Sequence, residues 1–150
     1  QLIYTMSKVE DFLTAEEEQE IVQAIIEAEK NTSGEIRVHI ETHTNLAHLK
    51  RAQEVFHLLK MDNTKEENGV LIYVAVSDKK FVIYGDSGID KVVTDNFWDT
   101  TKSMIQDHFI QGNFKQGIIE GILKAGKELA AHFPWQHNDT NELSNEVSKG

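Results

Sequence analysis

Three short apolar runs, each flanked by turn residues, are the clearest pattern in the chain. Residues 36–41 alternate strictly between apolar and polar, which predicts a strand with one wetter face. Residues 70–76 are continuously apolar between Gly69 and Ser77, as is typical of a central buried strand. Residues 81–84 follow a tight turn, so they are expected to pair back as a hairpin.

Helical periodicity surrounds these strands. A capping box at residues 14–17 predicts the start of a first helix, and apolar residues continue at helical spacing behind it. Further helices are expected over residues 46–59, 94–111 and 113–133, with Pro134 ending the last. This order of elements predicts an α/β fold, a three-layer sandwich whose central mixed sheet carries helices on both faces.

The polar ends of the chain suggest three segments. We expect an N-terminal extension over residues 1–11, an α/β domain over residues 12–134 and a flexible polar tail over residues 135–150. The tail prediction depends on polar composition after Pro134, where Leu143 and Val147 stand isolated.

Composition narrows the function classes. The net charge of -10 argues against nucleic acid, because a protein that neutralises phosphates needs clustered lysine and arginine. The chain has no cysteine, which excludes disulfides, thiolate nucleophiles and zinc–thiolate sites. No apolar run approaches the roughly 18 residues of a membrane span. We therefore expect a cytoplasmic protein without direct membrane insertion.

The predicted topology brings three polar loops to one end of the sheet. A right-handed crossover makes strands 36–41 and 70–76 parallel, so that their N-terminal ends share an edge. The antiparallel strand 81–84 returns its C-terminal end to the same edge. The loops there are residues 32–35, 65–69 and 85–90.

Carboxylates crowd this edge and predict a metal site. Oxygen-rich clusters suit a hard divalent cation, and calcium is preferred over magnesium because flexible loops do not impose a strict octahedron. Asp95, near the start of a predicted helix, is a further candidate, either as a replacement ligand or as a side chain that orients a ligand. The candidate ligands are Glu35, Glu67, Asp86 and Asp90.

Several patterns leave alternatives open. Asp86 and Asp90 also suit an ordinary polar turn around Gly88. Phe97 and Trp98 could wall a crevice above that turn or pack in the core. The histidines lack zinc-site spacing. The opposite end of the sheet, with residues 43–45, Asp78 and Lys79, looks less organised.

Five motifs follow one another in a fixed order along the chain. They are Ser33-Gly34-Glu35-Ile36, Asn68-Gly69-Val70-Leu71-Ile72, Gly85-Asp86-Ser87-Gly88-Ile89-Asp90, Thr94-Asp95 and Gly112-Asn113-Phe114 with Gly117-Ile118. Over roughly residues 12–133 this series resembles the TPM domain family in its small bacterial form. The resemblance implies a sheet covered by helices on both faces and divalent-cation binding in an acidic crevice. A plant thylakoid member is associated with acid phosphatase activity, and several bacterial members are membrane-anchored.

The chain departs from this family at one motif. Many members read Gly-Tyr-Gly-Leu-Glu where this sequence has residues 86–90. Asp90 thus stands in the acidic position, while Asp86 replaces a glycine and adds a carboxylate.

Two functions from different classes follow. The first is a calcium-binding interaction or regulatory module with a protein or peptide partner. The second is a metal-dependent phosphatase that acts on phosphomonoesters in the same crevice, with Glu35 or Asp90 as base. The enzyme ranks second, because the sequence places no histidine, lysine or arginine to stabilise a transferring phosphoryl group.

Overall fold

A mixed four-stranded sheet organises the chain. The computed structural model describes residues 12–135 and 143–150. In these residues the strand order is β3-β2-β1-β4, with β1 parallel to both neighbours and β3 antiparallel to β2. The strands are β1 Glu35–Glu41, β2 Gly69–Ala75, β3 Lys80–Gly85 and β4 Ser148–Lys149.

Helices follow the predicted order, with two short additions. The predicted capping box opens α1, since Glu17 N donates to Thr14 Oγ1 at 3.1 Å and Thr14 N donates to Glu17 Oε1 at 2.9 Å. The turn around Gly88 proves to be a one-turn helix, α3. The helices are α1 Ala15–Glu29, α2 His48–Leu58, 3-10 helix Met61–Asn63, α3 Ser87–Asp90, α4 Asp99–Ile110 and α5 Phe114–His132.

The alternation of side chains along β2 builds a core on each face of the sheet. Val70, Ile72 and Val74 join one apolar cluster with residues of α1, α4 and α5. The intervening Leu71, Tyr73 and Ala75 join a second cluster, beneath α2. Because both faces are covered, β2 is apolar at every position, and the predicted three-layer sandwich is confirmed.

Strand pairing brings the three polar loops to one end of the sheet, as predicted. Glu35 is in register with Gly69, and Val70 is in register with Gly85. The ladder continues past β3, because Asp86 N donates to Gly69 O at 2.9 Å. We call this end of the sheet the acidic rim, formed by residues 33–35, 62–68 and 86–90.

The prediction of a flexible tail is wrong for residues 143–150, which lie along the outer side of β1. Ser148 pairs with His39 and Lys149 with Ile40. Val147 and Leu143 pack against the two core clusters. The polar composition of residues 143–150 does not predict this strand, because the strand is stabilised by hydrogen bonds to the edge of β1. Local sequence does not reveal that this edge has unpaired backbone groups. Residues 1–11 and 136–142 lie outside the described residues.

Candidate functional site: the acidic rim

Direct hydrogen bonds hold the rim loops together. Gly88 N donates to Glu67 O at 2.8 Å. A methyl group on Gly88 would come within 2.2 Å of Glu66 O and 2.5 Å of Glu67 O, so the two loops approach more closely than a side chain permits. The Ser33 hydroxyl bonds to the Glu66 carboxylate on the other side of the rim.

Asp86 is one of two buried carboxylates of the rim, the other being Glu35. It begins α3, and its Oδ1 accepts a hydrogen bond of 2.7 Å from Ser87 N. Its Oδ2 is buried and has no hydrogen-bond partner within residues 12–135 and 143–150. Burial raises the pKa of Asp86, the Ser87 bond opposes this, and the negative charges of Glu67 and Asp62 raise the pKa further. Asp86 Oδ2 is thus an acceptor that lacks a donor in acidic surroundings.

Two further predicted ligands lie near Asp86. Glu67 has a left-handed backbone with φ of 51°, and its half-exposed carboxylate lies 3.8 Å from Lys91 Nζ. Asp90 is exposed on α3. Burial raises the pKa of the Tyr84 hydroxyl, and the charges of Asp86 and then Asp90 raise it further.

The remaining two predicted ligands are less closely joined to this group. Glu35 lies across Gly69 from Asp86, is only 3% exposed and accepts a hydrogen bond from Leu143 N. Asp95 is exposed in the turns before α4. In the described part of the chain, no group of three or more His, Asp or Glu side chains is arranged to hold a metal ion. The rim therefore gathers carboxylates without preassembling them.

Sequence reasoning missed an acidic and a basic group beside Asp86. His57 Nδ1 lies 2.7 Å from Asp62 Oδ2, and the charges of both residues act on the pKa of Asp86. His57 lies in the last turn of α2 and Asp62 in the 3-10 helix that follows. No sequence spacing signals this pair, because only the turn at Lys60, with φ of 57°, brings the loop back over the rim.

The opposite end of the sheet is more ordered than the sequence indicated. Asp78 Oδ1 lies 2.5 Å from His43 Nδ1, and Asp78 Oδ2 lies 2.9 Å from His48 Nε2. It also accepts a hydrogen bond from Thr44 N at 3.2 Å. The histidine bonds lower the pKa of Asp78 to about 2. The carboxylate is saturated by these partners, so the cluster anchors the start of α2 to the β2–β3 turn.

A buried ionic cluster lies on the α2 face of the sheet. Glu41, 4% exposed, accepts hydrogen bonds from Arg51 Nε at 2.9 Å and Arg51 Nη2 at 2.8 Å, and from the Tyr73 hydroxyl. His39 Nε2 lies 3.0 Å from the same carboxylate. Burial acts to raise the pKa of Glu41, but these bonds outweigh it and lower the pKa to about 2.

Phe97 and Trp98 pack against the body of the domain. Trp98 is partly buried against the first core cluster, and its ring centroid lies 4.6 Å from that of Phe97. The Phe97 ring lies 5.6 Å from that of His132, near the end of α5. Of the two alternatives, these contacts favour core packing.

Fold and rim together describe a three-layer α/β domain with acidic loops at the N-terminal end of its parallel strands. Residues 6–128 match the family model described as the TPM domain, and the chain belongs to that family. The predicted resemblance is thereby confirmed.

Solved structures support the same assignment. The chain is similar to the BA42 protein of the psychrophilic bacterium Bizionia argentinensis, at 65% identity and a TM-score of 0.90 over 97% of this chain and 100% of that one. It shares its fold with the N-terminal domain of a P. gingivalis protein, at 17% identity and a TM-score of 0.68, which covers 85% of this chain and 83% of that one.

A third structure also shares the fold. The N-terminal domain of the cg2496 protein from Corynebacterium glutamicum matches at 13% identity and a TM-score of 0.63, over 78% of this chain and 74% of that one. A comparison with curated proteins found no match. Within the described residues, no helix combines the length and apolar character needed to cross a membrane.

Proposed function

We propose that the acidic rim binds a divalent cation, with calcium preferred, and that Asp86 is the central ligand. The supporting observation is Asp86 Oδ2, a buried oxygen without a donor in the described residues, surrounded by other carboxylates. Buried polar atoms normally have a hydrogen-bond partner or a bound ion. A cation would provide a partner for this oxygen, which the neighbouring carboxylates cannot do. Cation binding would also lower the pKa of Asp86, reversing the effect of burial.

The donor set fits calcium better than magnesium. Glu67 and Asp62 act on Asp86 from the neighbouring segment, residues 62–68, and Asp90 lies on the same turn as Asp86. All three offer carboxylate oxygens. Glu35 and Asp95 are the outer candidates. Calcium accepts six to eight oxygens in irregular geometry, whereas magnesium demands a near-ideal octahedron. Because the carboxylates repel one another and must rearrange around the ion, the affinity is modest.

Cation binding would make the rim a regulatory or interaction surface. The Glu67 and Asp86 loops are joined by the Gly88–Glu67 hydrogen bond, while the two carboxylates repel. Neutralising that repulsion would order residues 85–90 against their neighbours. A local change of charge then alters a surface that a protein or peptide partner can contact.

A calcium titration followed by amide chemical shifts tests this function. The wild-type chain is expected to show shifts concentrated at residues 62–69 and 85–92. Asp86→Asn should lose them while keeping the fold, because the amide oxygen still accepts from Ser87 N. Asp99→Asn, at an exposed carboxylate on α4, is the matched control. Shifts that cluster elsewhere, or persist unchanged in Asp86→Asn, overturn the proposal.

The second candidate is a metal-dependent phosphatase in the same rim. It is favoured by His57 and Lys91, which the fold brings beside the acidic group although the sequence did not indicate it. A bound divalent ion would polarise a phosphoryl oxygen or activate water. His57 and Lys91 would neutralise charge on the phosphoryl group, and Asp90 would take the proton from water.

Turnover of p-nitrophenyl phosphate separates the two candidates. It is measured with calcium, with magnesium and with neither, for the wild type and for Asp86→Asn. Metal-dependent turnover that Asp86→Asn loses would rank the phosphatase first. Calcium-dependent amide shifts without turnover support the binding module.

A further inference from the structure

The α2 face of β1 carries a polar residue at every second position, and these residues meet the C-terminal segment, residues 143–150. Leu143 N donates to Glu35 Oε1 at 2.6 Å, at one end of the strand. His39 Nδ1 lies 3.0 Å from Ser148 Oγ, nearer the other end. These contacts run the length of β1 and form one continuous edge.

Arg37 and Glu41 complete this edge. Burial lowers the pKa of Arg37, and the negative charge of Glu146 in the segment acts in the opposite direction. A methyl group on Gly150 would lie 2.7 Å from Glu41 Oε1 and 2.9 Å from His39 Nε2. A side chain at this position would therefore have to displace two buried, hydrogen-bonded groups.

The imidazole of His39 links the edge to the buried ionic cluster. It is 5% exposed, and burial lowers its pKa, so the ring is neutral near pH 7. Its Nε2 then donates to Glu41 and its Nδ1 accepts from the Ser148 hydroxyl. A hydroxyl at this point satisfies a buried nitrogen, which an apolar side chain could not do.

The segment contributes little regular structure of its own. Its register with β1 extends over two residue pairs, and Gly150 N donates to Ile40 O at 3.0 Å. Apolar contact comes from Leu143 and Val147, which are partly buried at the two core clusters. A short strand with main-chain bonds, a few apolar anchors and directional polar contacts is the pattern of peptide recognition at a sheet edge.

We propose that the outer edge of β1 is a binding site for an extended peptide of a partner protein, and that the C-terminal segment occupies it as an internal competitor. The partner peptide carries two apolar residues spaced as Leu143 and Val147 are, followed by Ser, a basic residue and Gly. The basic residue is required because Lys149 Nζ lies 2.7 Å from Glu18 Oε1 on α1. This inference does not depend on cation binding at the rim.

If the C-terminal segment competes with a partner peptide, weakening the segment should make the β1 edge available to an added peptide. A tethered segment competes at an effective concentration on the order of mM, so the intact edge masks a peptide added in solution. Gly150→Val in the full chain should weaken the tethered segment, because its side chain collides with Glu41 and His39. Ser144→Thr, at an exposed position of the same segment, is the matched control, because it adds a β-branched side chain and keeps the hydroxyl that accepts from Glu146 N.

Fluorescence anisotropy with a labelled peptide of residues 143–150, sequence LSNEVSKG, is the test. Gly150→Val should bind it saturably and at least about tenfold tighter than the wild type or Ser144→Thr. Amide shifts on binding should fall in β1. A peptide carrying valine in place of the final glycine should not bind.

Three results overturn the proposal. The first is no binding to Gly150→Val when its amide spectrum shows an intact domain and a displaced segment. The second is equal binding of the valine-containing peptide. The third is segment exchange between chains, seen as dimers by light scattering, which would assign the edge to self-association. If the segment stays in place in Gly150→Val, Val147→Asp displaces it by removing its apolar anchor, and the same criteria apply.

Discussion

The backbone N–H of Leu143 donates a hydrogen bond to Oε1 of Glu35, a residue 108 positions away. This bond joins the C-terminal segment to the acidic rim. Glu35 is 3% exposed beneath it. Displacing the segment from β1 would therefore uncover a carboxylate that is one of the outer candidate ligands, so the C-terminal segment and the acidic rim are physically connected.

Gly88→Ala should disrupt the rim and destabilise the domain by a few kcal/mol. The added methyl group would lie 2.2 Å from Glu66 O, a backbone atom that cannot move without separating the rim loops. The free energy of unfolding is measured by urea denaturation. Gly112→Ala is the control: its φ of 78° costs about 1 kcal/mol, but the added methyl meets no atom within 4 Å. Equal effects of the two substitutions would show that the loop approach is not tight.

Glu41→Gln should be destabilising at neutral pH, by about 2 kcal/mol or more, because Arg51 and Tyr73 lose a charged acceptor. The folded-state pKa of Glu41 is about 2, below its usual 4.5, so its contribution is present above 4.5 and lost as pH falls towards 2. Urea unfolding at pH 7 and pH 3 should therefore show a smaller difference from wild type at pH 3.

Glu54→Gln is the matched control for that prediction. Glu54 also binds Arg51, but its side chain is 51% exposed, so the loss should be small. If Glu41→Gln changes the free energy of unfolding by the same amount at both pH values, the ionic role of Glu41 is contradicted.

Glu29→Gln should stabilise the domain above neutral pH. Burial raises the pKa of Glu29 to about 7, the hydrogen bond from Ile36 N opposes this, and the charge of Glu35 adds to the rise. Because the folded pKa lies above the ordinary 4.5, stability is lost as pH rises from 4.5 through 7. Gln keeps an acceptor for Ile36 N, which lies 2.8 Å from the carboxylate, without the charge.

Thermal unfolding at pH 4 and pH 8 measures that effect. The Tm of Glu29→Gln should exceed that of wild type at pH 8 and match it at pH 4. Glu27→Gln, on the exposed side of the same helix, should show no such dependence. A gain of the same size at both pH values would mean that charge is not responsible.

If the rim binds calcium, the ion should slow hydrogen exchange in residues 85–98 and leave β2 unchanged. The reason is that Glu67 and Asp86 stop repelling each other while the Gly88–Glu67 bond holds their loops together. Hydrogen–deuterium exchange with mass spectrometry, with and without calcium, gives the measurement. Uniform protection of the whole domain would instead indicate general stabilisation by a bound ligand.

Much of the fold could be predicted from local pattern. The capping box at Thr14, the apolar run of β2 and the proline after α5 each state a local preference that the structure confirms. Handedness of the β1–α2–β2 crossover then placed Glu35, Glu67 and Asp86 at one end of the sheet. The acidic rim follows from those few rules, because chain direction alone decides which loops share an edge.

Tertiary structure alone decided which side chains of the rim are buried and what they meet. The sequence treats Asp86 and Asp90 alike, yet Asp86 is buried at the start of α3 while Asp90 is exposed. The turn after α2, which no periodicity marks, brings Asp62 of the rim to His57.

The C-terminal segment shows the same division most clearly. Its polar composition reads as a solvated tail, and Leu143 and Val147 are too few to predict a strand. The segment is ordered by its pairing with the edge of β1 and by hydrogen bonds to the buried side chains of Glu35 and His39. Local sequence determined the helices and strands. Long-range pairing determined which polar groups needed hydrogen-bond partners and which residues supplied them, because these partners exist only in the assembled sheet.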